Sequence, residues 1–207
     1  MKHELQRVIS GKSEVRHGAA IQAAASYLKR SQGASKLVKN SKLYKKQETE
    51  VLKAYISNNN WWFPDVVIEN YISEGAEQKV YLKDSRTVLK LNDAIYYNSW
   101  EDYLNNLLLH NYFFPDTAYE LLGFYNQDDI IFAVVAQPFV KATEKTDLEG
   151  VKKFMHSNGF LNTKNNDYYN PDLCIILEDL HDENVLSENG VLQFIDTVFF
   201  IQEGFYV

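Results

Sequence analysis

Near the C-terminus two short apolar segments, residues 172–177 and 191–195, enclose a polar run, Glu178-Asp179-Leu180-His181-Asp182-Glu183-Asn184, and the second segment ends on Asp196. Continuous runs rich in Ile, Leu, Val and Phe that are too short for a helix read as buried strands. Between Leu186 and Val191, Ser187-Glu188-Asn189-Gly190 carries an Asn-Gly pair that reads as a turn. The chain is thus expected to place Asn184 and Asp196 on either side of one hairpin, with Asp179 five residues before Asn184.

The residue types are suited to distinct tasks around a metal-bound nucleotide. Asp179 is a candidate to accept the proton of an attacking hydroxyl. Asn184 is a candidate to offer its amide oxygen to Mg2+, and Asp196 to hold a Mg2+ that bridges phosphates, because that ion takes hard oxygen donors. The same residues also suit a solvated loop and a strand that merely ends in an acid, so a second signal matters.

That signal lies upstream. Residues 71–82 read as strand, turn, strand around Gly75, and Thr87-Val88-Leu89-Lys90-Leu91 follows Asp84-Ser85 as a third strand with one lysine among apolar neighbours. Lys90 is either a phosphate-pairing cation or a side chain snorkelling from a strand edge. Gly75 stands alone where a full phosphate-covering loop has three glycines. A helix is expected from Ser99, its N-cap, through His110. Glu101, or else Asp102, is the expected carboxylate partner of Lys90, although an acid in a first turn also simply favours the helix dipole. After Pro115, residues 119–125 and 130–135 read as two strands joined by Asn126-Gln127-Asp128-Asp129, and residues 136–140, with Gln137 and Phe139, as a hinge whose backbone would bond adenine. A further helix is expected over residues 147–158, ended by Gly159.

These pieces carry a resemblance. Ile72-Ser73-Glu74-Gly75-Ala76-Glu77-Gln78, Lys90-Leu91-Asn92-Asp93-Ala94, Leu109-His110-Asn111-Tyr112-Phe113-Phe114-Pro115, Gln137-Pro138-Phe139 and Leu177-Glu178-Asp179-Leu180-His181-Asp182-Glu183-Asn184-Val185 resemble the serine/threonine/tyrosine kinase-like domain of bacterial polyvalent proteins, a minimal protein-kinase-like fold. The resemblance implies ATP and Mg2+ as cofactors, with Lys90, Asp179, Asn184 and Asp196 in the matching positions. It implies an ATP-dependent phosphotransferase of unknown acceptor or, alternatively, a noncatalytic nucleotide-binding pseudokinase or interaction module. Asp179-Leu180-His181 is also similar to the small-molecule kinases of the aminoglycoside and choline type. The chain departs from the protein-kinase pattern at Leu177-Glu178, where His-Arg is usual, and at Thr197-Val198, where Phe-Gly is usual. Eleven residues follow Asp196, so the helices of a peptide-docking lobe are not expected.

The expected fold class is α+β: a basic helical N-terminal extension over residues 1–60, a five-stranded antiparallel N-lobe over 61–140 and a reduced C-lobe over 141–207. An apolar content of 45% supports a core. No segment is apolar enough for a membrane span or a signal peptide, which places the chain in the cytoplasm as an expectation. Cys174, the single cysteine, excludes an internal disulfide and reads as a buried thiol in a strand. Charge divides the chain: residues 1–53 carry a net +8 and residues 54–207 a net −15. Helical patterns over 17–31 and 43–57 would bury Ile21, Ala24, Leu28 and Leu52 while docking on the acidic remainder. The basic arm also admits nucleic acid as a less favoured partner.

Overall fold

The computed structural model describes residues 1–32, 41–64, 70–75 and 78–207. Three helices open the chain: α1 (Lys2–Ile9), α2 (Gly18–Gln32) and α3 (Ser41–Asn58). Two were expected; α1 is an addition, and it buries Leu5, Val8 and Ile9. Then come β1 (Tyr71–Glu74), β2 (Gln78–Asp84), β3 (Thr87–Asn92), α4 (Trp100–Phe113), β4 (Glu120–Gln127) and β5 (Ile130–Pro138). These five strands form one antiparallel sheet, as the sequence pattern anticipates, in the order β1-β2-β3-β5-β4.

Helix α4 organises the molecule. Leu104, Leu107, Leu108 and Leu109 spread over about 200° of its circumference, and a helix apolar on so much of its surface must be enclosed. Its residues from Trp100 to Asn111 are buried except for the partly buried Glu101 and Asp102. Ser99 caps it, its hydroxyl accepting from Asp102 N at 2.9 Å. The N-terminal helices cover one side, with Ile21, Ala24, Leu28, Leu52 and Ile56 fully buried. The expected burial of the first four of these is observed. Among the described residues one loose ion pair, Arg16–Asp116 at 4.0 Å, joins the basic arm to the acidic remainder, and Lys45 Nζ donates to Tyr97 O at 3.0 Å.

Residues 61–63 connect the helices to the sheet by running along β4, with Phe63 N donating to Phe124 O at 2.7 Å and Phe124 N to Trp61 O at 3.1 Å. Gly123 allows this approach: a Cβ there would lie 2.6 Å from Trp61 O, and its φ of +154° disfavours any other residue.

Beyond β5 lie α5 (Leu148–Ser157), β6 (Leu161–Lys164), β7 (Asp167–Asn170), β8 (Ile175–Glu178), β9 (Val185–Glu188), β10 (Val191–Phe194) and β11 (Val198–Ile201). Gly159 closes α5 at φ +80°. Strands β9 and β10 form the expected hairpin, and Asn189 and Gly190 are both left-handed in its turn. β11, β8, β7 and β6 form a separate antiparallel sheet in that order. Strand β8 starts at Ile175, not at residue 172, because Cys174 is left-handed, at φ 57°. Cys174 therefore precedes the strand and is only half-buried. One apolar cluster runs from α1 through α4 and the five-stranded sheet to Phe205. Among the described residues, no helix is long and apolar enough to cross a membrane.

Candidate functional site

Lys90 lies in β3 between Leu89 and Leu91 and is 4% exposed. A buried ammonium requires acceptors. Lys90 Nζ donates to Ile195 O at 2.8 Å and lies 3.5 Å from Asp196 Oδ2. Burial pulls its pKa below the ordinary lysine value, and the Asp196 carboxylate acts in the opposite direction. Tyr119 supports the same point: its hydroxyl donates to Ile195 O at 2.8 Å, and its ring lies 5.6 Å from the ammonium.

Asp196 follows β10. Its Oδ2 takes both side-chain bonds, from Lys90 and from Gln78 Nε2, so Oδ1 has no partner among the described residues. Asn184 precedes β9, and its carbonyl accepts from Ile195 N at 2.9 Å and Asp196 N at 3.3 Å. The hairpin thus closes at its base and sets the two candidate ligands side by side.

Asp179 is left-handed at φ 68°, a conformation that aspartate tolerates better than most residues and that recurs at functional positions. Neighbouring groups hold it there. Its amide donates to Asp167 Oδ1 at 3.1 Å, and Leu180 N donates to Asn166 O at 3.1 Å. Asn184 Nδ2 donates to Asp179 O at 2.8 Å and to its Oδ2 at 3.0 Å. His181 Nδ1 accepts from Glu183 N at 3.2 Å, and its Nε2 lies 3.3 Å from Asp179 Oδ1 and 3.2 Å from Asn184 Nδ2. The carboxylate is aimed from both sides, yet its side chain stays 58% exposed.

Two cavities meet here, sharing Glu183 and Asp196. One, of about 230 Å³, is lined by Val80, Val88, Lys90, Gln137, Phe139 and Leu186 among others. The second, of about 360 Å³, is lined by Gly75, Gln78, Tyr96, Asp179, Asn184 and Asp196 among others. The first is a largely apolar slot ending at a cation; the second gathers oxygen donors. Among the described residues no group of three or more His, Cys, Asp or Glu side chains converges on one position, so no all-protein metal cage is built. Asn184 and Asp196 nonetheless fit Mg2+, which uses few protein ligands and completes its shell with phosphate and water. Each presents a hard oxygen, and the Oδ1 of each has no bond to a described residue.

Seven of the residues anticipated from sequence, Gly75, Lys90, Gln137, Phe139, Asp179, Asn184 and Asp196, line these cavities. Ala76 and Glu77, which follow Gly75 in the sequence, lie outside the described residues. The Phe139 amide donates to Arg86 O at 2.8 Å, and the Gln137 side chain donates to Thr117 O at 2.8 Å. The Phe139 amide, expected from sequence to bond adenine, is therefore occupied within the protein. Glu101 requires a correction: Lys90 pairs with Asp196, while Glu101 lies in the first turn of α4 beside Ile9, Lys29 and Arg30. Asp102 is also elsewhere, near Asn98 and Phe200.

Two residues of α4 that do meet the segment around Asp196 are His110 and Asn106, which sequence reasoning gave no role. His110 Nδ1 lies 2.7 Å from Thr197 Oγ1, and Asn106 Oδ1 accepts from Phe199 N at 2.8 Å. Burial pushes the His110 pKa down to about 3, so the ring is neutral. Two polar residues spaced i, i+4 in an apolar helix were the available signal.

A family model described as serine/threonine/tyrosine kinase found in polyvalent proteins matches residues 45–203. No curated protein and no solved structure matches the chain.

Proposed function

The chain belongs to the family of serine/threonine/tyrosine kinases found in polyvalent proteins, and from that premise we propose that it is an ATP-dependent phosphotransferase with a kinase-like arrangement of its sheets. The observation that carries the reading is the junction of the two cavities, where Lys90, Asn184, Asp196 and Asp179 face one space. Adenine fits the apolar slot between Val88 and Leu186, with the phosphates running towards Lys90 and Asp196. Bound Mg2+ would be held by Asn184 and Asp196 and would supply charge neutralisation at the phosphates.

In the transfer, an acceptor oxygen bonds to the γ-phosphorus, the bond from that phosphorus to the β,γ-bridging oxygen breaks with its electrons leaving on ADP, and the acceptor proton passes to Asp179. The acceptor approaches from the side lined by Tyr96, His181 and Val198. The test is thermal unfolding with and without Mg-ATP. A ligand that binds only the native state raises Tm by mass action, and Asp196→Asn should weaken the shift. A folded protein with no shift at millimolar nucleotide overturns the proposal.

A noncatalytic nucleotide-binding module is the second reading. Two observations favour it: Phe139 N is already bonded to Arg86 O, and Lys90 lacks a carboxylate partner on α4. Turnover that depends on Asp179 separates the two.

A further inference from the structure

If no acid on α4 pairs with Lys90, the helix must be tied to the site by other means. His110 and Asn106 are one turn apart on one face of α4, and that face meets the backbone around Asp196. His110 Nε2 lies 3.0 Å from Thr117 O. A carbonyl can only accept, so Nε2 carries the ring proton and Nδ1 presents a lone pair. The Thr197 hydroxyl donates to it across 2.7 Å. Thr197 is 2% exposed, so water offers that hydroxyl no substitute.

The remaining bonds converge on the same stretch. Thr117 Oγ1 donates to Phe194 O at 2.5 Å, Lys90 and Tyr119 both donate to Ile195 O at 2.8 Å, and Phe199 N donates to Asn106 Oδ1 at 2.8 Å. Asp196 sits inside a backbone segment fixed on both sides, while its own side chain is bonded only through Oδ2. The direction in which Oδ1 points is therefore set by its neighbours, and Thr197, next in the chain, is tied to α4.

We infer that His110 is a positioning residue for Asp196: through Thr197 it couples α4 to the candidate metal ligand, doing by a neutral hydrogen bond what an acid–lysine pair would do by charge. This rests on the reading of Asp196 as a Mg2+ ligand. Partners one step removed from a metal ligand typically change metal affinity by about 10- to 100-fold when removed.

The experiment uses the full chain and Thr197→Val, which keeps side-chain shape and deletes the hydroxyl, with Thr197→Ser as the rescue. The Mg2+ concentration that gives half of the ATP-dependent rise in Tm should increase about tenfold in Thr197→Val and return in Thr197→Ser. Amide exchange over residues 194–199 in the nucleotide-free protein should accelerate in the same variant. A merely structural hydroxyl would lower Tm without moving the Mg2+ midpoint, and that result overturns the inference alone. A wild-type protein with no Mg2+-dependent shift overturns both this inference and the nucleotide reading beneath it.

Discussion

The Lys90 ammonium is bonded more closely to the Ile195 carbonyl, at 2.8 Å, than to the Asp196 carboxylate, 3.5 Å away. The cation therefore secures the backbone just before the acid while leaving the acid partly available. This asymmetry makes the two partners unequal under mutation. Lys90→Met replaces the stem with apolar volume and leaves Asp196, whose side chain is 31% exposed, in reach of solvent. Asp196→Ala instead leaves a cation in a dry site, for which a loss of about 3 kcal/mol is typical. The expected outcome is that Lys90→Met stays within roughly 1 kcal/mol of wild type but loses the Mg-ATP shift, whereas Asp196→Ala loses both. Denaturant unfolding alongside thermal shift checks the pair; an equally large stability loss in Lys90→Met would contradict it.

Glu48 on α3 reaches across to α4 and accepts from Trp100 N at 2.5 Å and Glu101 N at 3.1 Å. Burial pushes its pKa up to about 7, against the pull of those two amides. A carboxyl whose folded pKa is raised retains a proton that the unfolded chain has released, so its contribution to stability falls as pH rises from about 4.5 to 7 and is flat above. His110 works the other way: with its pKa down at about 3, the unfolded chain binds the extra proton below about 6.5, and stability falls with falling pH. The two slopes oppose each other between about 4.5 and 6.5. Glu48→Gln removes one of them. Relative to wild type, the variant should gain roughly 2 kcal/mol on going from about pH 5.5 to 8, measured by urea unfolding at each pH. A stability difference independent of pH would show that Glu48 is not protonated in the folded protein near neutrality.

Much of the site was legible because its polar residues interrupt apolar strands. Lys90 in Val88-Leu89-Lys90-Leu91 and Asp196 after Phe194-Ile195 stand out by period alone, and Asn189-Gly190 fixes the hairpin that brings Asn184 and Asp196 together. Glu101 was misplaced for a physical reason. In a helix buried on nearly every side, periodicity cannot say which face meets Lys90, and packing of α1 and α2 against the first turn decided it. The same ambiguity hid His110, a polar residue directly after three leucines. β6 escaped because Leu161-Asn162-Thr163-Lys164 is exposed throughout and carries no alternation. Yet the turn joining it to β7 supplies Asn166, and β7 itself supplies Asp167, which hold Asp179 in place.

The N-terminal helices should behave as part of the folded unit. Leu28 of α2 is fully buried against the core that includes Leu104 and Leu108. Leu28→Ala should cost about 2–5 kcal/mol, and deleting residues 1–53 should expose the apolar face of α4 and lower Tm strongly. If the truncated protein melts as the full chain does, and the full chain retards DNA at physiological salt, the segment is a nucleic-acid arm and the docking reading fails.

Asp179 tests chemistry apart from binding. Its carboxylate bonds Asn184 through Oδ2 and faces His181 through Oδ1, and Asp179→Asn can still accept from Asn184 while losing the capacity to take a proton. The backbone strain is not increased, since asparagine tolerates the left-handed conformation as well as aspartate does. Nucleotide-dependent stabilisation should therefore persist, while ATP turnover, with water or the protein's own hydroxyls as acceptor, should fall by about 10²- to 10⁴-fold. Asn184→Ala removes both a candidate ligand and the group that aims Asp179, so it should reduce Mg-ATP stabilisation and turnover together. Residual turnover that is equal in wild type and Asp179→Asn would remove the proton-accepting role and leave the noncatalytic nucleotide-binding module as the reading of this cleft.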